Sequence, residues 1–166
     1  MRRFLLIDTA AEPSVAAIAT SRSVLAEATV PDRKRLSEEL LARIDTLSRE
    51  AQQPLAGIAA IGIVTGPGPF TALRIGVAIA NALAYAHRIP IVPAEKPEVA
   101  SVPAFASLVA ERLEAGKTAR AVLPSYGREP SITPPKRGTP SPGRPSVRSR
   151  RGTAPTPDTD GRRTAR

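Results

Sequence analysis

Hydrophobic and polar positions follow distinct rhythms along the first two thirds of the chain. RFLLID (residues 3–8) is a short apolar run closed by an aspartate. SVAAIAT (14–20) and SVLAEATV (23–30) flank the turn TSRS (20–23) and read as two further strands. LSEELLARIDTLSREA (36–51) changes rhythm. Leu36, Leu40, Leu41, Ile44, Leu47 and Ala51 recur at the spacing of a helix with one apolar face. A buried-type strand is expected from Ile58 to about Thr65, and a helix from Phe70 to about His87. IPIV (89–92) predicts a fifth short strand, and VPAFASLVAERLEAG (102–116) a last helix ending at Gly116. Three strands, helix, strand, helix, strand, helix is an antiparallel meander leading into two crossovers. This is the α/β order of a ribonuclease H-like subdomain, half of an actin-like ATPase, with a mixed five-stranded sheet.

The helix expected at 70–87 is apolar almost all round. Ala72, Gly76, Ala80 and Ala84 form a stripe of small residues, flanked by Leu73, Ile75, Val77, Ile79 and Ala82. Its polar strip is Arg74, Asn81, Tyr85 and Arg88. A helix lying on a sheet buries about one face, so apolar surface is left over and the small stripe admits a close neighbour. A second subunit is one such neighbour; the last helix of the same chain is the other. The turn before it, Gly66-Pro67-Gly68-Pro69, resembles a phosphate loop only superficially. Two prolines remove two N–H donors, no Lys-Ser/Thr follows, and the glycine spacing is not a dinucleotide fingerprint. Pro69 suits the first helical position, with Gly68 as cap.

Charge divides the chain. Residues 127–166 hold ten Lys or Arg against three Asp or Glu, whereas residues 1–126 hold fourteen against twelve. The tail has eight prolines and no aromatic residue, so it is expected to be disordered from about Pro134. The expected domains are therefore 1–126, folded, and 127–166, a basic tail. There is no cysteine and one histidine, His87, which excludes disulfides, thiolate sites and multi-histidine metal sites. Asp8 and Glu12 break the first apolar run too early for a signal core, and no stretch is long enough to span a membrane. A cytoplasmic location is expected.

GPGPFTALRIGVAIANALAYAHRIPIV resembles the signature of the TsaB (YeaZ) family, usually GPGSFTGLRIG. RFLLIDTA resembles that family's first strand, LSEELLARIDTL its first helix, and VLPSYGREPSITPPK its closing Pro-x-Tyr-x-Arg segment. Pro69 stands where serine is usual, Ala72 where glycine is usual, and Leu36 where histidine is common. The family's second subdomain would fall between the fifth strand and the last helix, and the sequence passes almost directly from one to the other. The resemblance implies a non-catalytic partner of a TsaD-like subunit, with no cofactor of its own. With a TsaE-like ATPase, that complex transfers threonylcarbamoyl from an adenylate to adenosine beside the anticodon of tRNA. Contact with tRNA is then indirect, and a homodimer is possible when the partner is absent. The implied interface comprises Leu36, Leu40, Ala72, Arg74, Gly76, Ala80 and Ala84, with Gly66, Pro67, Gly68, Phe70 and Thr71 as the motif loop.

Three other classes compete. A ribonuclease H-like nuclease needs carboxylates converging on two metal ions. Asp8 is well placed and Glu38 or Glu39 could assist, but the fourth strand ends in Thr65-Gly66 where an acid is required. A peptidase lacks an activated nucleophile here. Alternatively, the basic tail is an RNA-binding arm without sequence preference, against the simpler reading of a solvated tail with no role.

Overall fold

The computed structural model describes residues 1–127; the expected disordered tail lies outside the described residues. Five strands form one sheet: β1 (Phe4–Asp8), β2 (Ser14–Ala19), β3 (Val24–Val30), β4 (Ala60–Gly66) and β5 (Ile91–Glu95). Their spatial order is β3-β2-β1-β4-β5. The first three pair antiparallel, while β1–β4 and β4–β5 are parallel. Three helices cover the sheet: α1 (Leu36–Glu50), α2 (Phe70–His87) and α3 (Val102–Glu114). The mixed sheet and the helix order are those of the ribonuclease H-like half-unit.

The pleat sorts side chains onto the two faces. Leu5 and Ile7 of β1 point into a core shared with Leu36, Leu40, Ile44 and Leu47 of α1 and Val77 and Ala80 of α2. Phe4 and Leu6 point the other way, toward Phe105, Ala106 and Val109 of α3. Every β1 residue is buried because strands flank it on both sides and helices cover both faces. β3 is an edge strand, and its alternating exposure shows only one face covered.

Several boundaries differ from the sequence expectation. β5 begins at Ile91 rather than Ile89, because Ile89 N–H closes α2 by bonding Ala84 O at 3.0 Å. β4 starts at Ala60, since a 3-10 turn at Leu55–Gly57 holds Ile58. The cap of α2 is Pro69 itself, in extended conformation, so Phe70 and not Pro69 is the first helical residue. Between β5 and α3 there is only a 3-10 turn, Lys96–Glu98, and a short link. Among the described residues, no helix is long and apolar enough to cross a membrane.

Candidate functional site

α2 lies beside α1 on one face of the sheet, and its sides meet different surroundings. The small stripe faces inward. Ala72, Gly76, Ala80 and Ala84 are all buried, as are Leu36 and Leu40 of α1. The close approach permitted at Gly76 is taken up by Thr9 of the same chain. A Cβ there would come within 2.4 Å of Thr9 Oγ1. The burial of these six residues therefore comes from the chain's own sheet and helices. They do not present themselves at the surface.

The polar strip has a role that the sequence pattern did not show. After α3, the chain returns to pair Ala119 with Ile91 of β5 and then crosses α2. Asn81 clamps this segment: Nδ2 donates to Val122 O and Val122 N–H donates to Oδ1, both at 3.0 Å. Arg74 Nε donates to Tyr126 Oη at 2.7 Å. Phe70 stacks on Tyr126 with ring centroids 4.5 Å apart, and the Arg74 guanidinium sits 4.0 Å from the Phe70 centroid.

The motif loop lies beneath the end of this segment. Ser125 N–H donates to Thr65 O at 2.7 Å. Gly66 has φ +144, a conformation that suits glycine, and a Cβ there would meet Ser125 O at 1.8 Å. Pro67 lies against Gly127, while Gly68 lies close to Ala10. Of the motif residues, Pro67, Phe70 and Thr71 are exposed. The loop is thus packed by the closing segment.

On its remaining side α2 faces outward. Thr71, Ala78, Ala82 and Ala86 are exposed, with Ile75 and Ile79 half-buried beside them. These positions follow helical spacing along one side, which the exposed Arg74 and Tyr85 border.

At the end of β1, Asp8 is buried and its carboxylate is already engaged. Oδ1 accepts from the N–H groups of Ala10 and Ala11 at 3.0 and 3.1 Å, and Oδ2 accepts from Lys96 Nζ at 2.5 Å. Asp8 is thus a turn former and ion-pair partner. Glu39 lies between Arg35 and Arg43 on α1, at 2.8 and 3.2 Å. Thr65 Oγ1 donates to Ala94 O. No group of three or more His, Asp or Glu able to hold a metal occurs among the described residues. Lys96 and Tyr126 were missed by sequence reasoning as tertiary partners. The closing Pro-x-Tyr pattern was a signal for Tyr126, and nothing local marked Lys96.

Residues 23–110, just over half of the chain, match the family model for TsaD, tRNA N6-adenosine threonylcarbamoyltransferase. The structure superposes on YeaZ from Pseudomonas aeruginosa with TM-score 0.51 at 28% identity, covering 57% of this chain and 44% of that one. The chain belongs to the TsaD/TsaB (YeaZ) family. A second Pseudomonas aeruginosa structure, titled an uncharacterized protein with similarity to peptidase YeaZ, gives TM-score 0.53 at 26% identity with the same coverage. A tRNA N6-adenosine threonylcarbamoyltransferase from Anoxybacillus flavithermus is 40% identical over 55 residues, 33% of this chain and 16% of that protein. An uncharacterized Mycobacterium tuberculosis protein is 35% identical over 89 residues, 52% of this chain and 42% of that one. This TsaB-type chain spans less than half the length of the relatives it matches.

Proposed function

We propose that this chain is a non-catalytic partner subunit of a TsaD-type enzyme, which places threonylcarbamoyl on adenosine next to the tRNA anticodon. The observation that carries the reading is the outward side of α2. An exposed helix face normally bears charged residues, whereas this one presents Thr71, Ala78, Ala82 and Ala86. Small side chains allow another helix to approach closely. We place the paralogous helices of the TsaD-type subunit against this side, with α1 beside it. Leu36, Leu40, Ala72, Gly76, Ala80 and Ala84 act from beneath, by fixing the depth of the two helices on the sheet. Arg74 acts by holding the closing segment.

In this reading a TsaE-type ATPase joins through the complex and tRNA is contacted indirectly. The chain needs no cofactor and works in the cytoplasm. Residues 1–126 carry the partner contact, and 127–166 do not. A homodimer through the same side of α2 is the expected state when the partner is absent. The engagement of Asp8 by two N–H groups and Lys96 supports the non-catalytic assignment.

The test is to mix the purified chain with the TsaD-type subunit of the same genome and to follow size-exclusion elution. A stable one-to-one complex is expected. Independent elution of the two proteins at micromolar concentration would refute the reading.

A further inference from the structure

The C-terminal end of α2 carries a feature that shares only Ala86 with the proposed docking side. Tyr85 is 88% exposed, the most exposed of the large hydrophobic side chains in the described residues. It lines a groove of about 910 Å³ between the end of α2 and the returning segment at 118–120. Arg88 and Arg120 line the same groove, and among the described residues no carboxylate does. Neither arginine belongs to an ion pair among the described residues, in contrast to Arg33, Arg35, Arg43, Arg49 and Arg112. The flanking sequence adds His87 and Lys117, and contains no acidic residue from 82 to 94 or from 115 to 127.

We propose that this groove binds single-stranded RNA, with a base stacked on Tyr85 and adjacent phosphates held by Arg88 and Arg120. The chemistry matches on three counts. A base offers a flat π-face to an aromatic ring that no described residue covers. A guanidinium meets a phosphate with paired donors. Arg88 is fixed in the left-handed conformation, φ +56 and ψ 38, as the residue closing α2, so its backbone is set before the ligand arrives. The exposed carbonyls at the end of a helix carry a partial negative charge of about half a unit. Two full positive charges outweigh it. An acidic protein segment would satisfy the arginines but leave the Tyr85 ring without a stacking partner, so RNA is the better occupant.

The inference does not depend on a TsaD-type partner, and its test uses the full chain alone. Binding of a labelled twelve-nucleotide RNA of mixed sequence is read by fluorescence anisotropy across a salt series. Variants are Tyr85→Ala, Tyr85→Phe and the pair Arg88→Gln with Arg120→Gln, each checked by thermal melting. Tyr85→Ala should weaken binding roughly tenfold, whereas Tyr85→Phe should keep wild-type affinity. The arginine pair should reduce the slope of log affinity against log salt by about 1.4. The tail is common to all variants, so only differences between them are assigned to the groove. Equal affinity and equal slope for wild type and every variant would overturn the proposal. So would loss of binding to a polyglutamate peptide with RNA binding unchanged.

Discussion

Replacing Asn81 with alanine removes two of the hydrogen bonds that hold the closing segment to α2, leaving the one from Arg74 to Tyr126. The amide spans the Val122 peptide with two contacts of 3.0 Å, and both residues are half-buried. Each such bond contributes a net ~0.5–1.5 kcal/mol, and the two together about 2 kcal/mol. Unfolding entropy for a unit of this size, at about 2.1 cal/mol/K per residue, converts that loss to a fall in Tm of roughly 7 °C. Thermal melting by circular dichroism measures it directly. Limited proteolysis supplies a local readout, because the freed segment should be cut near the exposed Leu123 before the core melts. Tyr126→Phe, which removes only the bond from Arg74, should act in the same direction. Since both contacts hold one segment, their effects should combine non-additively. An Asn81→Ala chain that melts within about 1 °C of wild type and resists protease equally would refute the tethering role.

Gly76→Ala should destabilise the isolated chain by about 1–3 kcal/mol, read as a lower Tm. The new methyl meets Thr9 across the helix–sheet contact, where overpacking strains the core. Glu98 should contribute acid-sensitive stability. The Glu95 backbone N–H hydrogen-bonded to its carboxylate holds its pKa below the ordinary value, and Arg112 adds to this. The contribution is present at neutral pH and lost as pH falls through the depressed pKa. On acidification the Tm of wild type should therefore fall further than that of Glu98→Gln.

The sequence made much of the sheet legible because period-two and period-3.6 patterns report local geometry. α2 was readable end to end, from the proline-bounded start at Phe70 to His87. β5 slipped by two residues because an apolar Ile89 looks the same whether it closes a helix or opens a strand. The small stripe was equally legible, but its neighbour was not. The identity of Thr9 as the group above Gly76 depends on how β1 sits on the helix, which local spacing does not encode. The polar strip of α2 was visible as polarity alone. Its partners lie 52 residues away for Arg74 and 41 for Asn81, and the Asp8–Lys96 pair spans 88. Such pairings follow from chain topology and leave no mark in a window of neighbouring residues.

If the outward side of α2 receives the TsaD-type subunit, Ala78→Glu should break the complex. Ala78 is exposed, so the charge should alter the isolated chain's stability by no more than about 0.5 kcal/mol. Within a packed helix interface the same carboxylate would be buried without a partner, which is strongly unfavourable. Co-expression with the TsaD-type subunit, affinity capture and quantification of the retained partner give the answer. Full recovery of folded Ala78→Glu chain and at least tenfold less partner than wild type are expected. Recovery of the partner at wild-type yield would contradict this expectation and place the docking surface elsewhere on the molecule.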